Sequence, residues 1–248
     1  MLKIENTEVT GWEAAIRGMR NPMNSWEKSD SIFVEDGEYH DICGNSGPYN
    51  GTVTDTETFF EMGENDLDLM TRLRNAGTDH RKFMRMITVY LDITAPMYWW
   101  KEFDTYKVGT VANSCSTMHK IAAKEFTLGD FSYEHLLEQK DVHAPNDSCC
   151  NWNWEGCEII APIDILEETI NMLNKARKMF LKTKDKKYWW QMIQLLPSSY
   201  NQRRTVMLNY EVLANIYKSR KGHRLDEWKT MLDWIEELPY AELITGGK

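Results

Sequence analysis

The sequence predicts an α+β fold that is mostly helical, with a small antiparallel or mixed sheet. Apolar side chains recur every three or four residues over residues 67–73 and again over residues 163–180, which is typical of amphipathic helices. Residues 87–93 (ITVYLDI) are β-branched and alternate in polarity, which indicates a strand. A chain of 248 residues can bury one large core, and we expect a single domain over residues 1–248.

The part of the chain before the first long helix is expected to contain a strand, a helix and a loop. A short strand is expected over residues 2–9 and a short helix over residues 12–19, which Asn21-Pro22 ends. Residues 36–56 (DGEYHDICGNSGPYNGTVTDT) are rich in Gly, Asn, Asp and Thr and are expected to form a long loop. Loops of this length in a compact domain are usually functional or mobile.

The later part of the chain is expected to be mainly helical. The helix that begins at Asp66 should end at Gly77, and Pro96 should begin a helix after the strand. Residues 127–162 are expected to be irregular. Beyond Pro197, the sequence predicts two more helices, over about residues 200–219 and 225–237.

Composition and charge exclude several classes of partner. The net charge is −9 and the chain has no dense run of basic residues, so we expect no nucleic acid and no membrane as partner. No apolar stretch has the length of a signal peptide or a transmembrane helix. The five Cys residues have no disulfide-framework spacing, and we expect a cytoplasmic protein with reduced thiols.

Four His and Cys residues are candidate metal ligands. His143, Cys149, Cys150 and Cys157 have the spacing H-x5-C-C-x6-C, which differs from the usual C-x2-C arrangements of zinc sites. We therefore predict no metal site. The tryptophan pairs are expected to belong to the core rather than to ligand platforms; they are Trp99-Trp100 and Trp189-Trp190.

Three stretches, in the same order along the chain, carry a resemblance to a known family. Residues 69–96 read as a helix, a Gly-containing turn, a strand and Ala-Pro; residues 101–119 are KEFDTYKVGTVANSCSTMH; residues 196–220 are LPSSYNQRRTVMLNYEVLANIYKSR. Over residues 65–237 the chain resembles the flavin-dependent thymidylate synthases. The third stretch is the most specific, because five family positions match without a gap: Leu196-Pro197, Asn209, Leu213, Asn215 and Arg220.

The middle stretch departs from the family pattern. The family's Arg-His-Arg triplet falls on Thr105, Tyr106 and Lys107, and its Gln falls on Glu102. Thr105 does not offer the planar set of hydrogen-bond donors that an Arg provides, and neither does Met118, which replaces another Arg of the family. With one extra residue, Asn113 and Ser116 match the family's Asn and Ser. The remaining replacements are Ser114 for a Glu, Met118 for an Arg and His119 for a Tyr.

The resemblance implies a reaction and its partners. The expected activity is that of a flavin-dependent methyltransferase: transfer of a one-carbon unit from methylenetetrahydrofolate to C5 of a pyrimidine nucleotide similar to deoxyuridine monophosphate (dUMP). The expected cofactor is flavin adenine dinucleotide (FAD), with NADPH as reductant, and the expected assembly is a homotetramer. In such a reaction the protein binds and orients its ligands, so no catalytic side chain is assigned.

The resemblance also implies the site residues. The expected substrate-binding residues are Arg220, Ser116, Asn113, Thr117 and Glu102, and the expected cofactor-binding residues are Tyr106, Lys107, Asn209, Asn215, His223 and Arg224. Because the triplet is absent, FAD is expected to bind more weakly than in the family. Because Met118 replaces an Arg, nucleotide binding is expected to change unless another cation compensates.

The same residues are compatible with other roles. Arg220 could be a solvated cation at a helix end, Asn209 and Asn215 could be polar helix-surface residues, and His223 could lie in an exposed loop. As a whole, the chain could be a non-catalytic flavin- or nucleotide-binding protein that keeps the fold, or a flavin reductase. If Arg220 binds substrate, its replacement by Lys should weaken binding about tenfold or more and leave the melting temperature nearly unchanged.

Overall fold

The computed structural model describes residues 1–51, 58–138 and 161–247. These residues belong to two compact units, which are described one at a time. The first unit comprises Met1–Lys3, Thr94–Phe103 and Ser114–Arg203, and the second unit comprises Ile4–Ile93, Asp104–Asn113 and Arg204–Lys248.

Helix is the most abundant secondary structure in the described part of the chain. The helices are α1 (Trp12–Arg20), α2 (Glu64–Asn75), α3 (Met97–Phe103), α4 (Thr117–Lys120), α5 (Pro162–Thr183), α6 (Lys186–Leu195), α7 (Tyr210–Arg220), α8 (Asp226–Glu236) and α9 (Glu242–Thr245). The strands are β1 (Lys3–Thr10), β2 (Ile32–Glu35), β3 (Glu38–His40), β4 (Ser46–Pro48), β5 (Phe59–Glu61), β6 (Thr88–Pro96), β7 (Val111–Ser114) and β8 (Asn201–Asn209). Within the described ranges, no helix combines the length and apolar content that a membrane span requires.

The strands form two four-stranded antiparallel sheets, with the orders β1-β6-β8-β7 and β4-β3-β2-β5. The predicted α+β class with predominant helix is therefore confirmed, although the sequence indicated one sheet rather than two. The second of these sheets belongs wholly to the second unit. The helices predicted near residues 12–19, 66–77 and 163–180 are present as α1, α2 and α5.

The prediction of a continuous loop over residues 36–56 is wrong, because this segment contains β3 and β4. Glu35 pairs with Glu38, so Asp36-Gly37 forms a two-residue hairpin turn between β2 and β3. Both turn residues have positive φ, 52° and 77°. Asp-Gly is the sequence that such a turn favours, and here it connects two strands instead of marking a long loop.

The prediction of a helix over residues 200–219 is wrong for its first half. Residues 201–209 form strand β8, and the helix begins only at Tyr210. Val206 and Leu208 are fully buried while the residue between them is partly exposed, which is the period-2 pattern of a strand. Helix α6 was not predicted at all, although Asp185 caps its first turn by accepting a hydrogen bond from the Lys187 backbone amide at 3.0 Å.

The first unit has an apolar core between two helices. Leu166, Ile170 and Leu173 of α5 face Met192 of α6, and Phe126 and Phe131 complete the cluster. Trp99 and Trp100 of α3 are fully buried, as expected, and pack edge-to-face with centroids 5.0 Å apart. The second pair differs from the expectation, because Trp190 on α6 remains 42% exposed.

The second unit is organised around a buried carboxylate. Asp66 of α2 is fully buried and accepts a 2.7 Å hydrogen bond from Nε of Arg20, the last residue of α1. It also accepts hydrogen bonds from the hydroxyls of Ser29 (2.6 Å) and Ser31 (2.7 Å). This ion pair therefore links α1, α2 and the segment that leads into β2.

A second carboxylate caps the start of α2. Asp30 accepts hydrogen bonds from the backbone amides of Asn65 (2.9 Å) and Asp66 (3.1 Å), in the first turn of the helix. Gly63 lies so close to this cap that a Cβ at its position would be 2.1 Å from Cγ of Asp30. The close approach requires glycine, and it fixes where α2 begins.

Replacement of Asp66 by Asn should destabilise the protein strongly. The change leaves Arg20 buried without its counter-charge, and breaking a buried ion pair in this way costs about 3–5 kcal/mol. The free energy of unfolding, measured by denaturant titration, reports the loss. Asp68→Asn on the same helix is the matched control, because Asp68 forms an exposed ion pair with Arg72 and should change stability by less than about 1 kcal/mol. Equal effects of the two substitutions would contradict the structural role of Asp66.

Candidate functional site

Arg220, the residue most specifically predicted from the sequence, lies in an aromatic setting in the second unit. It is the last residue of α7, and its Nε donates a 2.9 Å hydrogen bond to the Tyr106 hydroxyl. Its guanidinium lies 4.4 Å from the ring centroid of Trp228, which is fully buried on α8. A guanidinium at this distance from an aromatic face is attracted by the ring's negative potential. Arg220 is thus a half-buried, oriented cation and not a solvated cation at a helix end.

Two further predicted residues lie in the same unit near this cation. The His223 ring packs edge-to-face on Trp228 with centroids 6.2 Å apart, and its Nδ1 accepts a 3.2 Å hydrogen bond from the Leu225 backbone amide. Lys107 follows Tyr106 directly and is exposed. The structure therefore brings Tyr106, Arg220 and His223 around one tryptophan. Trp228 itself was not predicted, and an isolated Trp in an amphipathic helix gives no sequence signal for such a role.

Asn209 has a structural role at the start of α7. Its side chain accepts a 3.0 Å hydrogen bond from the Val212 backbone amide, which makes it the N-cap of the helix. The interpretation of Asn209 as an amide within the helix is wrong for this reason. Its side chain also lies next to Gly109, in the loop that follows Lys107.

Asn215 lines a strongly basic cavity of the second unit. The cavity has a volume of about 340 Å³, and four cationic side chains line it: Arg74, Arg81, Lys218 and Lys221. Asn215 and Lys218 are three residues apart on α7, so they lie on the same helical face. The spacing of Asn215 and Lys218 is visible in the sequence. Arg74 and Arg81 are far from α7 in the sequence and line the cavity only because of how the chain folds. We call this space the basic cavity.

The positive charges of the basic cavity affect one another. Burial lowers the pKa of Arg74, and the neighbouring charge of Arg81 lowers it further. Arg74 is held in place by hydrogen bonds of 3.2 Å to the backbone carbonyls of Leu243 and Ile244. Glu211 offsets part of the charge, because its carboxylate lies 2.9 Å from Nε of Arg81. A bound anion would relieve the remaining repulsion.

Ser116 and Thr117 line a different cavity, within the first unit. It has a volume of about 500 Å³ and is also lined by Lys3, Lys120, Lys124 and Arg203, together with the carboxylate of Asp130. The Thr117 hydroxyl accepts a 3.1 Å hydrogen bond from the Gln202 amide, which fixes its position. A hydrogen bond to Asp130 raises the pKa of Lys124. We call this space the Ser116 cavity.

Met118 does not line the Ser116 cavity. Its side chain is 47% exposed, and its backbone carbonyl accepts a 3.1 Å hydrogen bond from the indole of Trp189. Cationic side chains from other positions line this cavity, among them Lys120, two residues after Met118. None of these lysines was singled out from the sequence, because scattered lysines give no motif.

The other predicted residues lie apart from the cavities just described. Glu102 is half-buried on α3 in the first unit, Asn113 is exposed on β7, and Arg224 is exposed in the turn before α8. His143, Cys149, Cys150 and Cys157 lie outside the described residues. Within residues 1–51, 58–138 and 161–247, no three His, Cys, Asp or Glu side chains come together as a metal site.

Comparison with known proteins defines the fold. Neither a protein-family model nor a curated protein matches the chain. Among solved structures, the chain is similar over almost its whole length to enzymes of one structural class, and it has the fold of the flavin-dependent thymidylate synthases. The resemblance inferred from three short stretches is confirmed at the level of the fold.

Two particular structures illustrate the similarity. One is a flavin-dependent thymidylate synthase from Helicobacter pylori complexed with FAD and dUMP, with a TM-score of 0.59, 13% identity, and coverage of 98% of this chain and 97% of that chain. The other is a UMP/dUMP methylase from Streptomyces cacaoi bound with 5-Br dUMP, with a TM-score of 0.57, 9% identity, and coverage of 100% of this chain and 95% of that chain.

The contacts of Arg220 change one expectation from the sequence. Arg220→Lys removes the hydrogen bond to Tyr106 and the contact of the guanidinium with the Trp228 ring, so the free energy of unfolding should fall by about 1 kcal/mol instead of staying constant. Thermal and denaturant unfolding measure the change. Arg224→Lys, at an exposed position four residues later, should stay within about 0.5 kcal/mol of the unmodified protein. An Arg220→Lys protein as stable as the Arg224→Lys control would show that the aromatic contacts contribute nothing.

Proposed function

We propose that this protein binds FAD and a pyrimidine nucleoside monophosphate, and that it transfers a one-carbon unit from methylenetetrahydrofolate to C5 of the pyrimidine. One observation carries the proposal: substrate-binding and cofactor-binding residues predicted from the family resemblance line two separate cation-lined cavities. Ser116 and Thr117 line one, and Asn215 lines the other. Both ligands carry phosphate, which clustered cations bind. The fold, shared with enzymes bound to FAD and dUMP, is consistent with this assignment.

The basic cavity is suited to the diphosphate of FAD. Its guanidinium and ammonium groups are all donors. No carboxylate lines it among the described residues, although Glu211 pairs with Arg81 beside it. Arg81 would bind phosphate oxygens through its guanidinium, and Arg74, whose Nε and Nη2 already donate to backbone carbonyls, would add positive charge beside it. Lys218 and Lys221 would act as point charges at the rim. The Asn215 amide adds a neutral donor and acceptor. Reduced flavin, when bound, supplies the hydride that converts the transferred carbon into a methyl group.

The Ser116 cavity is suited to a single phosphate. The Ser116 and Thr117 side chains are hydroxyls, and Lys120 and Lys124 bring charge to the same space. The loss of one charged partner of a buried phosphate lowers the binding free energy of the ligand by about 2–5 kcal/mol unless another cation replaces that partner. In this proposal Lys120 is that replacement for the family's Arg, so nucleotide affinity survives the change to Met118.

Arg220 is proposed as a substrate-binding residue that holds a planar or anionic group. Tyr106 and Trp228 hold its guanidinium in one direction, and a held guanidinium loses less conformational entropy when it binds a planar or anionic group. Lys107 and His223 lie close to these residues in the sequence and are proposed as cofactor contacts. The homotetramer and the use of NADPH as reductant remain part of the proposal.

Turnover provides the test of the proposed reaction. With NADPH, FAD and methylenetetrahydrofolate, the protein should release tritium from dUMP labelled at C5, because the C5–H bond must break when the carbon is attached. Lys120→Gln should raise the dissociation constant of dUMP about tenfold or more, since one charge-assisted contact is lost. Its FAD affinity, measured by flavin fluorescence, should not change.

Lys182→Gln is the matched control, because Lys182 is exposed on α5 of the same unit and does not line the Ser116 cavity. It should bind dUMP and release tritium as the unmodified protein does. Oxidation of NADPH without tritium release would instead favour a flavin reductase. Binding of FAD or dUMP without either reaction would favour a non-catalytic binding protein.

A further inference from the structure

Helix α5 of the first unit carries a row of exposed apolar side chains. Ile165, Met172 and Met179 are between 39% and 60% exposed. They follow one another at intervals of seven residues, or about two helical turns, so they form a nearly straight row about 21 Å long. The side chains of α5 that contribute to the apolar core lie on another side of the helix. A row that stays on one face of a helix over this length suits packing along a second helix. We call these three residues the α5 row.

The charges of α5 are segregated along its length. Residues 162–172 contain three carboxylates and no cation, whereas residues 173–183 contain four cations and no carboxylate. Two of these charged residues, Glu168 and Lys175, are exposed. Glu168 is four residues before Met172 and Lys175 is three residues after it, so both side chains lie beside the α5 row.

Charge pairing within α5 does not explain the positions of Glu168 and Lys175. The residues three and four positions away from either of them, where a helix places its neighbours, include no charge of opposite sign. The two side chains are themselves about 10 Å apart along the helix. The helix macrodipole acts mainly on the first and last turns, and both residues lie further inside the 22-residue helix. An acidic and a basic group at either side of the centre of the row are therefore suited to an external partner.

We propose that this partner is α5 of a second copy of the chain, packed antiparallel with a twofold axis at Met172. Ile165 then meets Met179 of the second copy, Met172 meets its own counterpart, and Glu168 of each copy lies beside Lys175 of the other. A parallel arrangement would instead place Glu168 beside Glu168 and Lys175 beside Lys175, and these like charges would repel each other. One patch serves both copies, as a twofold interface requires. The contact requires neither flavin nor nucleotide, and it suits a dimer as well as the proposed homotetramer.

Disulfide formation at the twofold axis tests the contact. Met172→Cys in the whole chain should give a covalent dimer on mild oxidation, and peptide mapping should find position 172 of one copy linked to position 172 of the other, because the axis brings these positions together. Glu167→Cys is the control, because position 167 is exposed but lies about 140° around the helix from Met172 and should give little dimer. Equal yields at the two positions would overturn the proposal. A disulfide between position 172 and a native cysteine of the same copy would also overturn it, since another segment of the chain would then cover the α5 row.

Charge reversal tests the antiparallel direction. Glu168→Lys or Lys175→Glu, each combined with Met172→Cys, should slow the cross-linking about tenfold, because each places two pairs of like charges across the contact. The two reversals together restore two pairs of opposite charge and should restore the rate. Glu167→Lys makes the same change of charge on the far side of the helix and should leave the rate unchanged. No recovery in the double reversal, or an equal loss with Glu167→Lys, would overturn the antiparallel contact. Flavin and nucleotide are absent from both experiments, so their outcomes are independent of the proposed methyl transfer.

Discussion

The buried ion pair between Arg20 and Asp66 is the interaction on which the second unit depends. Both side chains are almost completely excluded from solvent, so each charge is tolerable only because the other is present. The pair joins the end of α1 to the start of α2, and Asp30 fixes the first turn of α2 beside it. Arg74 lies at the far end of that same helix and lines the basic cavity. Arg74, a candidate phosphate-binding residue, is therefore positioned by an ion pair that lies more than two helical turns away along α2.

The distribution of charge explains how an acidic protein can bind anionic ligands. The chain carries a net charge of −9, which by itself suggests no affinity for phosphate. Four cationic side chains nevertheless line the basic cavity, where Glu211 pairs with Arg81. Four also line the Ser116 cavity, where Asp130 is the one carboxylate among the described lining residues. Salt screens exposed charges beyond about 8 Å under physiological conditions, so the charges close to a ligand govern its binding. The net charge argues against an extended surface that binds nucleic acid. It does not argue against binding of a small phosphorylated ligand.

The sequence predicted the parts of the fold that local patterns encode. The gapless run from Leu196 to Arg220 located α7 and its terminal Arg, and periodicity located α5. It did not predict β8, because Val206 and Leu208 alternate over too short a segment to outweigh helix-forming neighbours. Trp228, Arg74 and Arg81 were missed because they reach their sites through tertiary packing, which leaves no spacing in the sequence. The predicted Asn209 turned out to be a helix cap, a role that Asn fills in many helices.

Titration of the flavin-free protein with FAD, followed by visible absorbance and flavin fluorescence, tests the central claim most directly. The account predicts saturable binding at micromolar concentrations, weakened about tenfold or more in a Lys218→Gln, Lys221→Gln double variant because two charged contacts with the diphosphate are lost. Lys229→Gln, at an exposed position on α8, should bind FAD as the unmodified protein does. Absence of flavin binding at high micromolar concentration, or equal affinity in the double variant and the unmodified protein, would contradict the assignment of the basic cavity to the cofactor.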